Sequence, residues 1–181
     1  MKALTLNAVS KEIEEKDIIL QANTIYSFFD SILIDELTTL QNHIVYTDAN
    51  AISEKKEAYF IGEQLLVGDA LILGRNGLEE VDVTIPKEEL KSLVLSEVND
   101  FYKKVLEILA STDINLYRTF ELKKQEESMS LNTEWVLYTF NIADHKTQEY
   151  FIAELKKSVA SGEKSDKFMQ KMAGLAINSV S

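Results

Sequence analysis

The sequence predicts an α+β protein whose N-terminal half is mostly β. Two alternating segments, KALTLNAV and EIEEKDIIL, predict two strands within residues 2–20. Residues 86–111 carry apolar side chains at helical spacing, which predicts one long central helix. Two further alternating segments predict a two-stranded C-terminal hairpin, and two helical patterns follow it. The chain therefore divides into an acidic N-terminal α+β domain at 1–85, a connecting helix at 86–111 and a C-terminal ββαα domain at 112–181.

One short helix is expected among the strands of the N-terminal half. The segment TIYSFFDSI has apolar side chains at the spacing of one helical face, with Asn23 or Thr24 as the N-cap. The segments ILIDELTTL and HIVYTDAN read as strands, and Asp48, Asn50 and Ser53 mark the loop after them. The N-terminal domain is thus a small β unit with a single helix.

The glycine-rich stretch FIGEQLLVGDALILGRNG is interpreted as a β-hairpin. A phosphate-binding loop must open a helix, whereas the residues after Gly77 alternate and are rich in β-branched side chains. Asn76 and Gly77 suit a type I′ turn, because both central residues of that turn need positive φ angles.

The second half is read from its periodicities and helix signals. Pro86 suits the first position of a helix whose apolar stripe runs from Leu90 to Leu109. The segments INLYRTFEL and EWVLYTFNI that follow are predicted to be two strands with alternate side chains on one buried face. That face comprises Ile114, Leu116, Phe120, Leu122, Val136, Tyr138, Phe140 and Ile142. Tyr138 is therefore expected in the core. A helix with Asp144 as N-cap and Gly162 as its stop comes next, and a last helix is capped by Ser165 or Asp166.

The amino-acid composition and the distribution of charge exclude several classes of function. The chain has no cysteine, which excludes disulfides and thiolate chemistry and fits a reducing cytoplasm. Its apolar runs are too short to cross a bilayer or to form a signal peptide, so no membrane association is expected. The net charge of −11 is uneven, since residues 1–85 carry 6 Lys and Arg against 15 Asp and Glu. Such a half repels nucleic acid and either docks on a basic protein or merely aids solubility.

One compact acid–base cluster can be nominated, at the start of the predicted 144–162 helix. Asp144, His145 and Glu149 share one helix end, a spacing that can serve a metal or a general base. Helix capping and dipole interactions account for the same residues. The sequence contains no established metal-binding or catalytic motif, and we expect neither a metal nor another cofactor. Whether the protein is an enzyme is left open, because this cluster is the one acid–base candidate.

The basic residues of the second half are the candidate contacts with RNA phosphates. They form pairs and a helix face comprising Lys123, Lys124, Lys156, Lys157, Lys164, Lys167 and Lys171. Solvated helix faces have the same composition. Met169 and Met172 on the last helix are read as core, with a homodimer seam as the functional alternative.

The first 85 or so residues resemble a small domain of unknown function from plasmids, integrative elements and phages of Gram-positive bacteria. The resemblance lies in MKAL, TIYSFFDSI, HIVYTDANA and YFIGEQLLVGDALILG, in that order. A domain of this kind followed by a variable C-terminal part is similar to one group of type II-A anti-CRISPR proteins. The resemblance implies inhibition of Cas9 through the nuclease or its guide RNA, by hindering assembly or by causing guide shortening. The alternative is a non-enzymatic accessory protein of a mobile element.

Overall fold

The computed structural model describes residues 1–21, 23–37, 40, 42–112, 116–117, 119–124 and 127–180, with the backbone alone at 119–124, 127–128, 165 and 178–180. The chain divides into two compact units, Met1–Val98 and Asn99–Ser181. Their boundary falls inside the segment that the sequence predicts to be one connecting helix. No helix within the described ranges is long and apolar enough to span a bilayer.

The first unit is mostly β, as predicted. Its strands and helices, in chain order, are β1 Lys2–Leu6, β2 Ile13–Asp17, α1 Thr24–Phe29, β3 Ile34–Leu37, β4 His43–Asp48, β5 Ala58–Ile61, β6 Gln64–Val67, β7 Ala70–Asn76, β8 Glu79–Val81, α2 Lys87–Leu93 and β9 Val94–Leu95. An antiparallel sheet has the order β2-β1-β7-β4-β3, with β8 also paired to β7. A smaller sheet has the order β6-β5-β9.

The central strands of the larger sheet are buried on both faces. On one face Ala3, Ile44 and Leu71 belong to a core cluster against which the partly buried Phe28 and Phe29 of α1 pack. The opposite face is also buried and carries Leu4, Leu6, Val45 and Ile72. Burial on two faces explains why β4 lacks the alternation of polar and apolar residues that marks a half-exposed strand.

The glycine-rich stretch forms hairpins and not a phosphate-binding loop. The loop between β5 and β6 consists of Gly62 and Glu63, and the loop between β7 and β8 consists of Gly77 and Leu78. In both loops the glycine comes first and has a positive φ of 61° or 66°, which is the glycine position of a type II′ turn. The predicted Asn76–Gly77 turn is therefore one residue out of place, because Asn76 still pairs with Glu79 in the ladder.

The single helix predicted over residues 86–111 is wrong. Pro86 is the N-cap of α2 and not its first residue, and α2 ends at Leu93. Val94 and Leu95 then pair with Ile61 and Phe60 as strand β9. A tertiary pairing with β5 thus interrupts a stripe of apolar residues whose spacing alone was compatible with one helix.

The second unit is mostly helical. Its elements are α3 Asp100–Leu109, β10 Thr119–Lys124, β11 Glu127–Asn132, α4 Thr133–Asn141, α5 His145–Ser161 and α6 Ser165–Val180. Phe151 is fully buried at its centre, with ring centroids 5.8 Å from Phe101, 4.6 Å from Phe140 and 5.7 Å from Phe168. Asp144 caps α5 and Gly162, with a φ of 65°, ends it, as predicted. The last helix begins at Ser165 itself.

The predicted strand over residues 134–142 is also wrong, because this segment is helix α4. Val136 and Phe140 are buried in either arrangement, since positions four apart share both a strand face and a helix face. Tyr138 lies on the opposite side and is 47% exposed, so its predicted place in the core is corrected. The hairpin exists earlier in the chain, between β10 and β11. Ile114 of the predicted first strand lies outside the described residues.

Candidate binding surfaces and the predicted acid–base cluster

The predicted acid–base cluster is a helix terminus whose side chains already have partners. The Asp144 carboxylate accepts hydrogen bonds from the Thr147 backbone N–H at 2.9 Å and from its hydroxyl at 3.2 Å. These bonds hold the pKa of Asp144 below its ordinary value. His145 Nδ1 lies 3.6 Å from Glu149 Oε2, and these side chains are 79% and 67% exposed. The cluster therefore has the geometry of a capped, solvated helix end.

Metal binding receives no support from the described part of the chain. Among its histidines and carboxylates, no three are grouped so that they could hold an ion. This includes Asp144, His145 and Glu149, which the sequence brings to one helix end. Their arrangement can cap α5 and balance its dipole, with no buried group poised to exchange a proton.

The lysine face of the second unit is partly neutralised by glutamates. Glu154 accepts from Lys157 Nζ at 2.6 Å and from Lys171 Nζ at 2.7 Å, and so links α5 to α6. Lys167 Nζ lies 4.0 Å from Glu163. The hydrogen bonds from Lys157 and Lys171 lower the pKa of Glu154 to about 2. A surface whose cations already have anionic partners attracts phosphates less than its lysine count suggests.

The remaining predicted RNA contacts have different surroundings. Lys156 and Lys164 are exposed on the second unit. Lys123 and Lys124 occupy the end of β10, opposite Ser128 and Glu127 in the ladder, and their side chains lie outside the described part of the structure. The predicted lysine set thus extends over α5, α6, the turn before α6 and the hairpin.

The methionines of α6 belong to the core. Met169 and Met172 are 1% and 0% exposed within the second unit, so the interpretation as core is confirmed. Leu175 remains partly exposed on the same helix. A homodimer through α6 stays a prediction, and it would have to use residues other than the two methionines.

The first unit carries nearly all of the net negative charge. It has 8 Lys and Arg against 18 Asp and Glu, a net charge of −10. Most of these carboxylates are exposed, among them Glu12, Glu14, Glu15 and Asp17 on or beside edge strand β2. Charged side chains on an edge strand also discourage pairing with other sheets. The surface is therefore both protected against aggregation and strongly anionic.

A buried polar network lies beside the turn that joins α1 to β3. The buried Asp48 carboxylate accepts from Ser31 Oγ at 2.8 Å, from the Asn50 N–H at 3.0 Å and from Lys56 Nζ at 2.9 Å. Burial by itself raises the pKa of Asp48, but the hydrogen bonds from Lys56, Asn50 and Ser31 outweigh it and hold the pKa below its ordinary value. Lys56 also lies 2.9 Å from Glu54. The sequence marks Asp48 and Asn50 only as loop residues, but Asp48 is the last residue of strand β4. Its partner Ser31 lies 17 residues away in the chain.

His43 is a buried structural group. Its Nε2 accepts from the backbone N–H groups of Thr84 at 3.2 Å and Ile85 at 3.0 Å. Since Nε2 acts as an acceptor, this nitrogen carries no proton in the arrangement. His43 thereby attaches the chain segment before α2 to the start of β4.

No protein-family model, curated protein or solved structure matches this chain. The resemblance of residues 1–85 to a mobile-element domain accordingly stays a hypothesis based on the order and character of its segments.

Proposed function

We propose that this protein is a binding protein whose acidic first unit docks on a basic surface of a macromolecular partner. The observation that carries the proposal is the net charge of −10 on a unit whose carboxylates are mostly exposed. Such a surface steers a basic partner toward it and repels nucleic-acid phosphates. The resemblance names the partner more narrowly as type II-A Cas9, a nuclease with a positively charged channel for its heteroduplex. The specific proposal is therefore inhibition of Cas9 in the bacterial cytoplasm.

Binding is a better candidate than RNA cleavage by this chain. The nominated acid–base cluster is exposed and engaged in capping, and general acid–base catalysis requires a group placed against the reacting atom. If guide RNA becomes shorter in the presence of this protein, we expect Cas9 to be required for it. A His145→Ala variant should then leave the rate of shortening unchanged on a denaturing gel.

The test is a DNA-cleavage assay with type II-A Cas9, guide RNA, target DNA and this protein. We expect inhibition that weakens with rising salt, because the attraction between exposed charges is screened over about 8–10 Å at 0.1–0.15 M salt. The charge-reversed variant Glu12→Lys/Asp17→Lys should inhibit less. The matched control is Glu107→Lys/Glu149→Lys, which makes the same change in net charge on the second unit. Undiminished cleavage with several type II-A enzymes would refute inhibition of Cas9.

A non-enzymatic accessory role in a mobile element is the second candidate. The same anionic surface favours it, since docking on any basic replication or transfer protein has the same requirement. This candidate is distinguished by retained binding to basic proteins without any effect on Cas9 cleavage.

A further inference from the structure

Three large apolar side chains are exposed around the turn between α1 and β3. Tyr26 is 47% exposed, Ile32 is 86% exposed and Leu33 is 54% exposed. The Ser31 N–H donates to the Tyr26 carbonyl at 3.2 Å, so the helix end and the turn are in contact. We name Tyr26, Ile32 and Leu33 the α1–β3 patch. Exposed apolar side chains presented by one short stretch of chain are a feature of interaction surfaces.

The turn that presents the patch is held by several hydrogen bonds. Ser31 Oγ donates to the buried Asp48 carboxylate and accepts from Asn50 Nδ2 at 3.3 Å. The Leu33 carbonyl accepts from the Ala49 N–H at 3.0 Å. Asp30 ends α1 in the left-handed conformation, with a φ of 50°. Ile32 and Leu33 are thus kept in water by a fixed backbone, which reduces the entropy lost when a partner covers them.

The charges around the patch indicate the chemistry of its partner. Asp30 and Asp35 bracket Ile32 and Leu33 in the chain, within a unit of net charge −10. The nearby cation Lys56 is bonded to Asp48 and Glu54. A second copy of this unit would bring like charges together, whereas a segment carrying both cations and apolar side chains meets an attractive field and an apolar anchor point.

We propose that the α1–β3 patch is the docking surface for a basic, amphipathic protein segment. Apolar side chains of the segment cover Tyr26, Ile32 and Leu33, while its lysines or arginines lie toward the surrounding carboxylates. The proposal deepens the proposed function and rests on it, since it assigns the contact with the basic partner to one surface. In this arrangement charge governs the encounter, and the apolar contacts govern how long the complex lasts.

Fluorescence anisotropy with labelled peptides tests the chemistry of the surface. The first peptide is a helix with leucines on one face and lysines on the other, at about 3.6-residue spacing, and the second has serine in place of every leucine. The Ile32→Ser/Leu33→Ser protein should bind the leucine–lysine peptide at least ~10-fold more weakly than the unmodified protein, since loss of a central apolar contact commonly reduces affinity by this factor or more. The serine–lysine peptide should bind weakly to both proteins.

The matched control is Leu78→Ser, which removes a 90% exposed leucine from the β7–β8 turn. This turn follows the C-terminal end of β7. The N-terminal end of β7, at Ala70, pairs with Thr47 and so lies on the side of Asp48 and the patch. The control should bind the leucine–lysine peptide as the unmodified protein does. Equal binding by the Ile32→Ser/Leu33→Ser protein, or equal affinity for both peptides, would overturn the inference. Circular dichroism of each variant verifies that the unit remains folded.

The same variants separate this inference from the proposed function. If the protein inhibits Cas9 and Ile32→Ser/Leu33→Ser inhibits equally well, the inhibition stands and the docking surface is wrong. If no type II-A Cas9 is inhibited but the double substitution abolishes peptide binding, the docking surface stands and Cas9 is not its target.

Discussion

Replacing Asp48 by asparagine should destabilise the first unit in a pH-dependent way. The substitution keeps the size of the side chain and an oxygen acceptor for Ser31 and Asn50, but it removes the charge that faces Lys56 at 2.9 Å. Breaking a fully buried ion pair costs about 3–5 kcal/mol. The Lys56 side chain is 37% exposed and keeps Glu54 as a partner, so solvent screening reduces the expected cost to about 1–2 kcal/mol.

The pH dependence follows from the lowered pKa of Asp48 in the folded protein. A carboxylate with a depressed pKa contributes its stabilisation above the pKa of the unfolded chain, about 3.9, and loses it as the pH falls through the lower folded value. The difference in unfolding free energy between the native protein and Asp48→Asn should therefore be largest near neutral pH. Below pH ~4 it should shrink, because the native Asp48 also becomes neutral.

Urea unfolding followed by circular dichroism at neutral and acidic pH measures this difference. The control is Glu54→Gln, which removes the exposed partner of Lys56 and should change stability little. A double-mutant cycle with Lys56→Met isolates the interaction between Asp48 and Lys56. A difference that is constant with pH, or an equal loss in Glu54→Gln, would refute the assignment of the stabilisation to this ion pair.

Three further substitutions, each measured by urea unfolding, test the packing inside each unit separately. Gly74→Ala should cost more than about 2 kcal/mol, because a Cβ at this position would lie 2.2 Å from the Asp82 carbonyl oxygen; a neutral effect would mean that this strand contact can open. His43→Ala should cost at least about 2 kcal/mol by leaving two backbone N–H groups without their acceptor, and His43→Gln, which retains an acceptor, should recover part of it; equal losses would contradict this account. Phe151→Ala should cost about 3–5 kcal/mol by opening a cavity at the centre of the second unit, and a loss below about 1 kcal/mol would show that its neighbours close the space.

The strands of the first unit were predictable because their apolar segments are short and bounded by turn residues. β1, β2, β3, β4 and the β7–β8 hairpin follow from these signals. The sequence does not reveal that Val94 and Leu95 pair with β5, because the spacing of the apolar residues alone fits one uninterrupted helix. A local signal for a restart was present, since Asn99 caps α3 by accepting from the Tyr102 N–H.

Helix α4 shows how two periodicities can fit the same residues. Val136 and Phe140 satisfy both a strand and a helix, so the decision depends on the residues that begin the segment. Asn132 accepts from the Trp135 N–H, and Glu134 lies in the first turn, which together form a helix start. In this segment the N-cap and the first-turn acid indicate the structure correctly, and the alternation of apolar residues does not.

The candidate surfaces were only partly accessible to sequence reasoning. The concentration of negative charge in the first half is a property of the composition and could be predicted. The network of Ser31, Asp48, Asn50 and Lys56 requires the fold, because Ser31 and Asp48 are 17 residues apart. The exposure of Ile32 and Leu33 also could not be predicted, since apolar residues after a short helix are more often buried.

The β7–β8 turn makes this protein convenient for spectroscopy. Leu78 is 90% exposed, and the chain contains no cysteine. Leu78→Cys would therefore introduce a unique thiol that accepts a fluorophore or spin label at a position outside the core. A second label at Val9, which is 77% exposed in the β1–β2 turn at the Ala70 end of the same sheet and is not part of the α1–β3 patch, would give a pair whose separation reports on whether the sheet remains intact when a partner binds.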